Sequence, residues 1–310
     1  MSDVSTEHLR AALRGHGWRA AVVPIERLAD VRSAIDRGRA EVDEGVREVV
    51  DRNLDLGVSL PGARSLVAVV VPHACARVTV TRGGRTHDVP IPTTYCHHDE
   101  LQAEVLGTVA RLVAAAGARV ALAGLPEKLV AAGAGLGRYG RNNIFYADGC
   151  GSFCELAVCV TDLAPDDDPW TGPLLLERCE TCDACRRACP TGAIGGDRFL
   201  LHGDRCLTLH NESERPFPEW IDPAWHHCLW GCLRCQRCCP QNLAVRDEVA
   251  ETAVFDERET ALLLAGVGRD LPAHEDGLRG KLGELGLLSY DGDTLGPVLA
   301  RNLAAVLAAR

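Results

Sequence analysis

Residues 179–190 carry four cysteines at a spacing that few folds share. The run reads C-x2-C-x2-C-x3-C-P and consists of Cys179, Cys182, Cys185 and Cys189, with Pro190 after them. The two-residue gaps let three thiolates from one tight loop occupy three corners of a four-iron cube, while the cysteine before the proline serves a different cube. This run predicts one half of a ferredoxin-like domain that binds two [4Fe–4S] clusters.

A second run, C-x2-C-x3-C-P, supplies the other half but lacks one cysteine at its front. It consists of Cys232, Cys235 and Cys239. Either Cys206 or Cys228 must complete this set. We favour Cys206, because Cys228 lies four residues before Cys232 and breaks the two-residue spacing of such motifs.

Crossing the ligands as two-cluster ferredoxins do divides the cysteines into two sets. The first set is Cys179, Cys182, Cys185 and Cys239, and the second is Cys189, Cys206, Cys232 and Cys235. Zinc is the alternative metal, but zinc sites normally use separated cysteine pairs and need no terminal proline. We expect the remaining cysteines of the fifteen in the chain to be small buried thiols. A third cluster at Cys150 and Cys154 lacks a recognisable spacing.

Composition and charge set the class of protein. The chain has 310 residues, of which 46% are hydrophobic and 25% charged, as in ordinary globular proteins. It contains no apolar run long enough to span a membrane, and its start resembles no secretory or twin-arginine leader, so a cytoplasmic location is expected. The formal net charge of −10 has the wrong sign for a polyanion, and nucleic acid is therefore an unlikely partner.

The order of helical and strand patterns predicts an α+β fold. The apolar run Ser65–Pro72 predicts a buried strand, and Gly83–Gly84 predicts a hairpin. Helices are predicted at Thr6–Arg14, Ile25–Leu54, His98–Ala116, Glu127–Ala134, Arg258–Ala265, Leu278–Leu288 and Leu295–Ala309, and further strands at Arg19–Ile25, Arg119–Ala123, Asn142–Tyr146 and Glu155–Thr161. The linker-like segment Pro165–Trp170 suggests three domains: an α+β domain at 1–168, a cluster domain at 169–248 and a helical tail at 249–310.

Residues 135–140 match the pattern G-x-G-x-x-G through Gly135, Gly137 and Gly140. A dinucleotide site needs a strand before the glycines and a helix after them, whereas here the predicted order is reversed. Glycines also let a backbone approach a flat cofactor, to which Arg138, Arg141, Asn142 and Asn143 would offer donors. The alternative is a tight helix-to-strand turn that binds nothing.

If the predicted clusters supply electrons that reduce a substrate, a proton donor is required as well. Phenols and imidazoles fit this role, and the candidates are Tyr139, Tyr146, Tyr95, His97 and His98. We select Tyr139 and Tyr95 as the candidate catalytic residues. His226 and His227, which lie near the second cysteine run, are expected either to tune a cluster or to form a surface loop.

These motifs together resemble the superfamily of corrinoid-dependent epoxyqueuosine reductases and reductive dehalogenases. The matching stretches include LPGARSLVAVVV, GLGRYGRNNIFYADGCGSF, CETCDACRRACPTGAI, RFLLHGDRCLTLHNE, FPEWIDPAWHHC and GCLRCQRCCPQN. The resemblance implies a nitroreductase-like domain that binds base-off cobalamin, and it supports Cys206 as the lone cysteine between the two runs. By position, it implies corrinoid contacts from Gly135, Leu136, Gly137, Gly140, Asn142, Gly151 and Ser152.

Three departures separate the chain from the named activities. The stretch Ala121–Pro126 lacks the proton-donating Asp of the reductases, and the tail of about sixty residues is too short for more than one or two of their helical repeats. From the start of the sequence we also expect no twin-arginine leader of the kind that respiratory dehalogenases carry. We expect a cobalamin-dependent reductase of an unidentified small substrate, supplied by a donor such as ferredoxin or flavodoxin. The alternatives are an electron carrier without an organic cofactor and a flavin-dependent reductase.

Overall fold

The computed structural model describes residues 5–44, 46–47, 51, 57–196, 199–266, 276–287 and 295–309. The chain divides into two compact units that alternate along the sequence. Unit 1 comprises Met1–Pro72, Glu100–Asp183 and Ile194–Asp204, and unit 2 comprises His73–Asp99, Ala184–Ala193 and Arg205–Arg310. The three domains expected at 1–168, 169–248 and 249–310 are contiguous segments, whereas these units are interleaved.

The regular elements follow the α+β order. The strands are β1 (Arg19–Pro24), β2 (Ser65–Pro72), β3 (Cys75–Arg82), β4 (Arg85–Ile91), β5 (Val120–Leu122), β6 (Arg138–Tyr139), β7 (Phe145–Tyr146), β8 (Cys154–Thr161) and β9 (Val249–Phe255). The helices are α1 (Thr6–Gly15), α2 (Leu28–Arg39), α3 (His98–Ala114), α4 (Glu127–Gly133), α5 (Ala184–Ala188), α6 (Leu207–Glu212), α7 (Arg234–Arg237), α8 (Glu257–Leu264), α9 (Asp276–Glu284) and α10 (Leu295–Ala308). The predicted α+β class is confirmed.

Unit 1 is built on a sheet with the strand order β1-β2-β8-β5, in which every neighbouring pair is antiparallel. Alternate residues of β2 point to opposite faces, and both faces are covered. Leu66, Ala68 and Val70 belong to one apolar cluster with residues of α2 and α4. Val67 and Val69 belong to another cluster, which includes residues of α1 and α3. The continuous apolar run of β2 is therefore buried on both sides, as predicted.

Two predictions in unit 1 need correction. The helix expected at Ile25–Leu54 begins after a 3-10 turn at Ile25–Arg27 and is α2, which ends at Arg39, while part of the remaining stretch lies outside the described residues. The strand expected at Asn142–Tyr146 is only β7. The preceding residues form a turn, closed by hydrogen bonds from Gly140 N to Ile144 O at 2.8 Å and from Asn143 N to Gly140 O at 2.9 Å. Asn143 has a φ of 57° in this turn, which an asparagine tolerates better than most residues.

Unit 2 contains a second sheet, with the strand order β4-β3-β9. β3 and β4 form the predicted antiparallel hairpin, and Gly83 and Gly84 adopt φ values of 60° and 72° at its tip. β9 runs parallel to β3 and was not predicted. Helix α8 follows β9 directly and begins with a capping box between Asp256 and Glu259.

The C-terminal helices belong to the core of unit 2. Leu263, Leu282 and Leu303, from α8, α9 and α10, share one apolar cluster with the second sheet. The buried side chain of Asn302 donates hydrogen bonds to the carbonyls of Asn211, at 2.8 Å, and Leu229, at 3.0 Å. These bonds attach helix α10 to helix α6, which follows Cys206, and to the segment just before Cys232. None of the helices in the described ranges combines the length and apolar character that a bilayer span requires.

Candidate functional site

All fifteen cysteines are free thiols. In unit 2, Cys189 directly follows α5, Cys206 directly precedes α6, and Cys235 lies in α7, which packs against α5. The thiol of Cys232 lies within the electrostatic influence of Cys206 and Cys189. The fold of unit 2 therefore brings Cys189, Cys206 and Cys232 together, which are three of the four members of the second predicted ligand set.

Burial governs the ionisation of the thiols of Cys232 and Cys206. Burial raises the pKa of Cys232 to about 12, and it also raises the pKa of Cys206. The backbone amide of Arg234 opposes the rise at Cys232, and that of Thr208 opposes it at Cys206. Thiolate ligands with backbone N–H groups near their sulfurs are the usual donors to iron–sulfur clusters, so these residues fit a [4Fe–4S] cluster.

The first predicted set has members in both units, with Cys179 and Cys182 in unit 1 and Cys185 and Cys239 in unit 2. Within unit 1, the Sγ of Cys179 accepts a hydrogen bond from the backbone N of Arg141 at 3.4 Å. The carbonyl of Cys179 accepts another from the Arg141 guanidinium. Arg141 Nε is buried and has no hydrogen-bond partner among the described residues. The end of the glycine motif is therefore in direct contact with a predicted cluster ligand.

Unit 1 contains a cavity of about 920 Å³ beside the glycine motif. Its lining is mainly apolar and comes from α2, the start of α4, the β6–β7 turn and two segments that flank the first cysteine run. The lining includes Ile35, Leu129, Tyr139, Asn143, Leu174 and Phe199. Apolar concavities of this size, with a few polar groups, are typical of cofactor and substrate sites.

Tyr139 is one of the polar residues that line this cavity. Its ring contacts Phe199 edge-on, with the ring centroids 5.2 Å apart. Its hydroxyl makes no hydrogen bond within the described part of the chain, and burial raises its pKa. The hydroxyl therefore keeps its proton and is available as a hydrogen-bond donor to a bound molecule.

The glycines of the motif serve close packing inside the β6–β7 hairpin. A Cβ on Gly137 would lie 2.2 Å from the carbonyl oxygen of Tyr146, and a Cβ on Gly140 would lie 2.5 Å from Asn142 Oδ1. The side chain of Asn142 in turn donates a hydrogen bond to the Tyr146 hydroxyl at 2.9 Å. At Gly137 and Gly140 the chain itself fills the space that a flat cofactor was expected to use.

The other predicted cofactor residues lie around this hairpin. Gly135 is exposed, Leu136 is buried in the core, and Gly151 and Ser152 are buried in the turn before β8. Arg138 forms an ion pair with Glu177 at 3.1 Å. Within the described ranges, the cavity is lined by their neighbours Tyr139 and Asn143 rather than by these residues.

Tyr95, the second candidate catalytic residue, lies in unit 2 and is packed on all sides. Its hydroxyl donates to Glu212, its ring centroid is 6.1 Å from that of Trp230, and a Cβ on Gly231 would lie 2.6 Å from the Tyr95 ring. Burial raises the pKa of Glu212. These contacts describe a buried structural pair, whereas Tyr139 faces a cavity.

His226 and His227 are removed from solvent to different degrees. His226 is buried and stacks on Phe217 at 4.3 Å, whereas His227 is half-buried and its Nε2 accepts a hydrogen bond from Leu233 N at 3.1 Å. Burial lowers the pKa of each to about 4, so both are neutral near pH 7. Leu233 follows the predicted ligand Cys232, and this favours support of the cluster loop over a surface loop.

The apolar side chains of the cavity were not among the residues predicted from the sequence. Leu174 and Leu175 follow Pro173, and Phe199 and Leu200 lie between the first cysteine run and Cys206. Both are short apolar stretches within polar, turn-rich sequence. Apolar residues without helical or strand periodicity in such a context are a signal that could have identified them.

Comparisons with known proteins agree with the cysteine pattern. A family profile described as "4Fe-4S double cluster binding domain" matches residues 178–242. An epoxyqueuosine reductase from Yersinia pestis is 34% identical over 135 residues, which cover 42% of this chain and 31% of that protein. Another from Gloeobacter violaceus is 30% identical over 222 residues, which cover 67% of this chain and 66% of that protein. The matches thus span at most about two thirds of these relatives.

Solved structures extend the likeness in fold to almost the whole chain. A selenomethionine-labelled epoxyqueuosine reductase has a TM-score of 0.63 at 20% identity, covering 98% of this chain and 81% of that chain. A second crystal structure, with the same TM-score of 0.63 at 19% identity, is of an epoxyqueuosine reductase with a tRNA stem loop and covers 98% of this chain and 80% of that chain. The expectation that nucleic acid is an unlikely partner is therefore wrong as a rule for this family, because one relative is bound to tRNA. The double-cluster profile and the sequence relatives show that this chain belongs to the epoxyqueuosine reductase superfamily.

Proposed function

We propose that the chain is an iron–sulfur reductase whose two [4Fe–4S] clusters supply electrons to a corrinoid of the cobalamin type held in the cavity of unit 1. The observation that carries this proposal is the apolar cavity of about 920 Å³ with the unpartnered hydroxyl of Tyr139 inside it. Small-molecule sites usually measure about 300–1,000 Å³, so this cavity is at the upper end of the range.

The residues of the cavity have separable roles in this proposal. Leu129, Leu174 and Phe199 would cover the faces of the ligand and exclude water, and Asn143 would offer polar contacts at its edge. When bound, a corrinoid supplies a low-valent metal centre that accepts electrons singly and passes them to a substrate. The exclusion of water by the apolar lining strengthens every polar interaction within the cavity.

Tyr139 is the proposed proton-holding residue. Its Oη keeps its proton because burial raises the pKa, and it can donate a hydrogen bond to a substrate atom that gains electron density. This would take the place of the acid that is absent from Ala121–Pro126. The proposed substrate is a small molecule that enters the cavity, and the proposed electron donor is a ferredoxin or a flavodoxin.

A second candidate is an electron carrier that binds no organic cofactor. It is favoured by one observation: the chain's own atoms occupy the space over Gly137 and Gly140. In that case the glycine motif would serve only to form the hairpin, and the cavity would remain a packing defect or a docking site for another molecule.

Retention of a corrinoid distinguishes these candidates. Anaerobically reconstituted protein is incubated with hydroxocobalamin and passed through a desalting column, and cobalt and iron are then quantified. The reductase proposal predicts that about one cobalt per chain is retained alongside about eight irons, as two four-iron clusters require. Protein with full iron and no retained cobalt would favour the carrier, and a bound yellow chromophore in purified protein would favour a flavin enzyme.

A cavity-filling variant makes this measurement specific. Leu129→Trp places a large ring in the cavity lining and is predicted to abolish cobalt retention without changing the iron content. The matched control is Val254→Trp, which puts the same ring at a position of unit 2 that is 59% exposed. Equal cobalt retention by the two variants would place the corrinoid, if bound, outside this cavity.

A further inference from the structure

Two segments of unit 2 that supply predicted cluster ligands are rich in arginine and contain no acidic residue. They are residues 184–193, which include Cys185 and Cys189, and residues 229–246, which include the second cysteine run. Their arginines are Arg186, Arg187, Arg234, Arg237 and Arg246. The chain as a whole has a formal net charge of −10, so these segments concentrate positive charge where the clusters are predicted to bind.

The two segments are neighbours in the fold, because α5 and α7 pack against one another. Arg186 and Arg187 lie in α5 and are exposed, and the side chain of Arg237, at the end of α7, is 43% exposed. The side chain of Arg246 is 38% exposed and donates a hydrogen bond to the Arg237 carbonyl at 3.4 Å. We call these four arginines the basic surface of unit 2.

Acidic residues offset only part of this charge. The exposed Asp247 forms ion pairs with Arg237 at 3.3 Å and with Arg246 at 3.4 Å, through different carboxylate oxygens. Asp247 thereby holds two guanidinium groups side by side at the surface. Together with Glu248, which is also exposed, Asp247 leaves the five arginines of the two segments with an excess of three positive charges.

An exposed apolar side chain lies on the loop between Cys239 and Arg246. Leu243 is 58% exposed, although the loop that carries it is held firmly. The buried side chain of Asn242 donates a hydrogen bond to Gln236 O at 2.9 Å, and Asn242 O accepts one from Arg246 N at 2.8 Å. A lone exposed leucine is ordinary, but an apolar contact beside arginines matches the make-up of protein–protein interfaces.

The predicted ligands in these two segments are accessible from solvent. Cys189, Cys235 and Cys239 are each half-buried, whereas Cys228, which is not a predicted ligand, is fully buried. Weak electron-transfer complexes use small interfaces, of less than about 1,200 Å². A carrier that docks through a few arginines and Leu243 therefore has the contact area that such a complex needs.

We propose that the basic surface is the docking site of an acidic one-electron carrier protein of the flavodoxin class. The inference rests on the proposed function, because it takes the clusters as the point of electron entry, and it adds the face at which the donor binds. The carrier loses one electron and a predicted [4Fe–4S] cluster gains it, with no transfer of atoms. The position of the arginines beside predicted cluster ligands favours a redox partner over a nucleic acid, which would fit the charge alone.

The test follows the oxidation of flavodoxin in a stopped-flow instrument. Cluster-loaded protein without corrinoid is mixed anaerobically with fully reduced flavodoxin, and the appearance of its blue one-electron-oxidised form is recorded. Charge steering raises association rates by about 10–10³-fold, so the double variant Arg186→Glu/Arg187→Glu should lower the second-order rate constant at least about tenfold at low salt. Arg85→Glu, an equally exposed position at the tip of the β3–β4 hairpin, is the control and should leave the rate unchanged. A double variant as fast as the unsubstituted protein would overturn the proposal.

Two further measurements separate docking from other roles of these arginines. Reduced methyl viologen is a small cation, and its reaction with the clusters should not be slower in the double variant. Equal slowing with both reductants would show that the arginines act on the clusters themselves, and would overturn the docking role. Binding of tRNA is measured by fluorescence anisotropy. Loss of tRNA binding in the double variant, with an unchanged flavodoxin rate, would assign the surface to nucleic acid instead.

A salt series on unsubstituted protein covers the case in which the double variant fails to assemble its clusters. Salt screens exposed charges, so the flavodoxin rate constant should fall steeply as the ionic strength rises. A rate that does not depend on salt would contradict the proposal, as would the absence of any reduction by flavodoxin. Because no corrinoid is added, these results are independent of cobalt retention, which tests the proposed function separately.

Discussion

The backbone amide of Arg141 donates a hydrogen bond to the Sγ of Cys179 at 3.4 Å, and the Arg141 guanidinium donates to the carbonyl of the same cysteine. This contact joins the hairpin of the glycine motif, beside the cavity, to a predicted ligand of the first cluster. Hydrogen bonds and positive charge near a cluster sulfur stabilise the reduced state, because reduction adds negative charge. Under the proposed function, Arg141 would influence the reduction potential of the cluster that Cys179 is predicted to bind.

Replacing Arg141 by Ala should make the first cluster harder to reduce. The change keeps the amide N–H but removes the guanidinium, and the loss of about 1 kcal/mol of stabilisation corresponds to roughly 40 mV for a one-electron couple. An EPR-monitored redox titration measures this shift. The matched control is Arg138→Ala in the same hairpin, whose partner Glu177 is exposed, and it should leave the potential unchanged. Equal shifts of the reduction potential in both variants would show that the effect comes from general surface charge and not from the contact with Cys179.

The choice between Cys206 and Cys228 has a direct chemical readout. Cys206→Ser should lose the second cluster and with it about four irons per chain, because a four-iron cube needs all of its thiolates. Cys228→Ser should keep the full iron content, since this fully buried thiol is expected to serve packing. Iron and acid-labile sulfide assays on reconstituted protein decide the matter. The reverse pattern would assign Cys228 as the ligand.

The tight hairpin predicts a strong response at Gly137. A Cβ there meets the Tyr146 carbonyl at 2.2 Å and the Phe145 ring at 2.5 Å, so Gly137→Ala must displace the hairpin. Overpacking of this kind costs about 1–3 kcal/mol in the free energy of unfolding. Urea denaturation followed by circular dichroism measures it, and Gly15→Ala, at the end of α1 with open space around it, serves as the control. Equal stability of the two variants would show that the packing at Gly137 relaxes freely.

The cysteine ligand pattern and the main elements could be predicted from the sequence because both depend on local spacing. The two-residue gaps define the cluster loops, and the apolar run of β2 predicts a strand buried on both faces. The sequence left open whether Gly137 and Gly140 serve a cofactor or a tight turn, because Phe145 and Tyr146 reach them only through the turn at Asn143. Likewise, β9 pairs with β3 from far along the chain, and such pairing leaves no local signal.

The cavity could not be predicted from the sequence for the same reason. Leu174 and Phe199 are separated by the first cysteine run and meet in the cavity only through the fold of unit 1.

The raised pKa of Tyr139 predicts a measurable pH dependence of the free energy of unfolding. An ordinary tyrosine has a pKa of about 10, and burial holds that of Tyr139 higher in the folded protein. Above about pH 10 the unfolded chain therefore releases a proton that the folded chain keeps, so this residue's contribution to stability falls as pH rises. Tyr139→Phe should unfold with a shallower loss of stability above that pH, measured by urea denaturation at a series of pH values. Parallel curves for the two proteins would place the phenol in contact with bulk solvent.

Electron transfer from the clusters to a corrinoid bound in unit 1 is the central claim. Anaerobic protein loaded with both clusters and cobalamin is mixed with a reduced one-electron donor, and the Co(II) signal is followed by EPR. We predict that this signal disappears in the unsubstituted protein and in Cys228→Ser but persists in Cys206→Ser, which lacks the second cluster. Loss of the signal at the same rate in Cys206→Ser, or its persistence in the unsubstituted protein, would contradict the account.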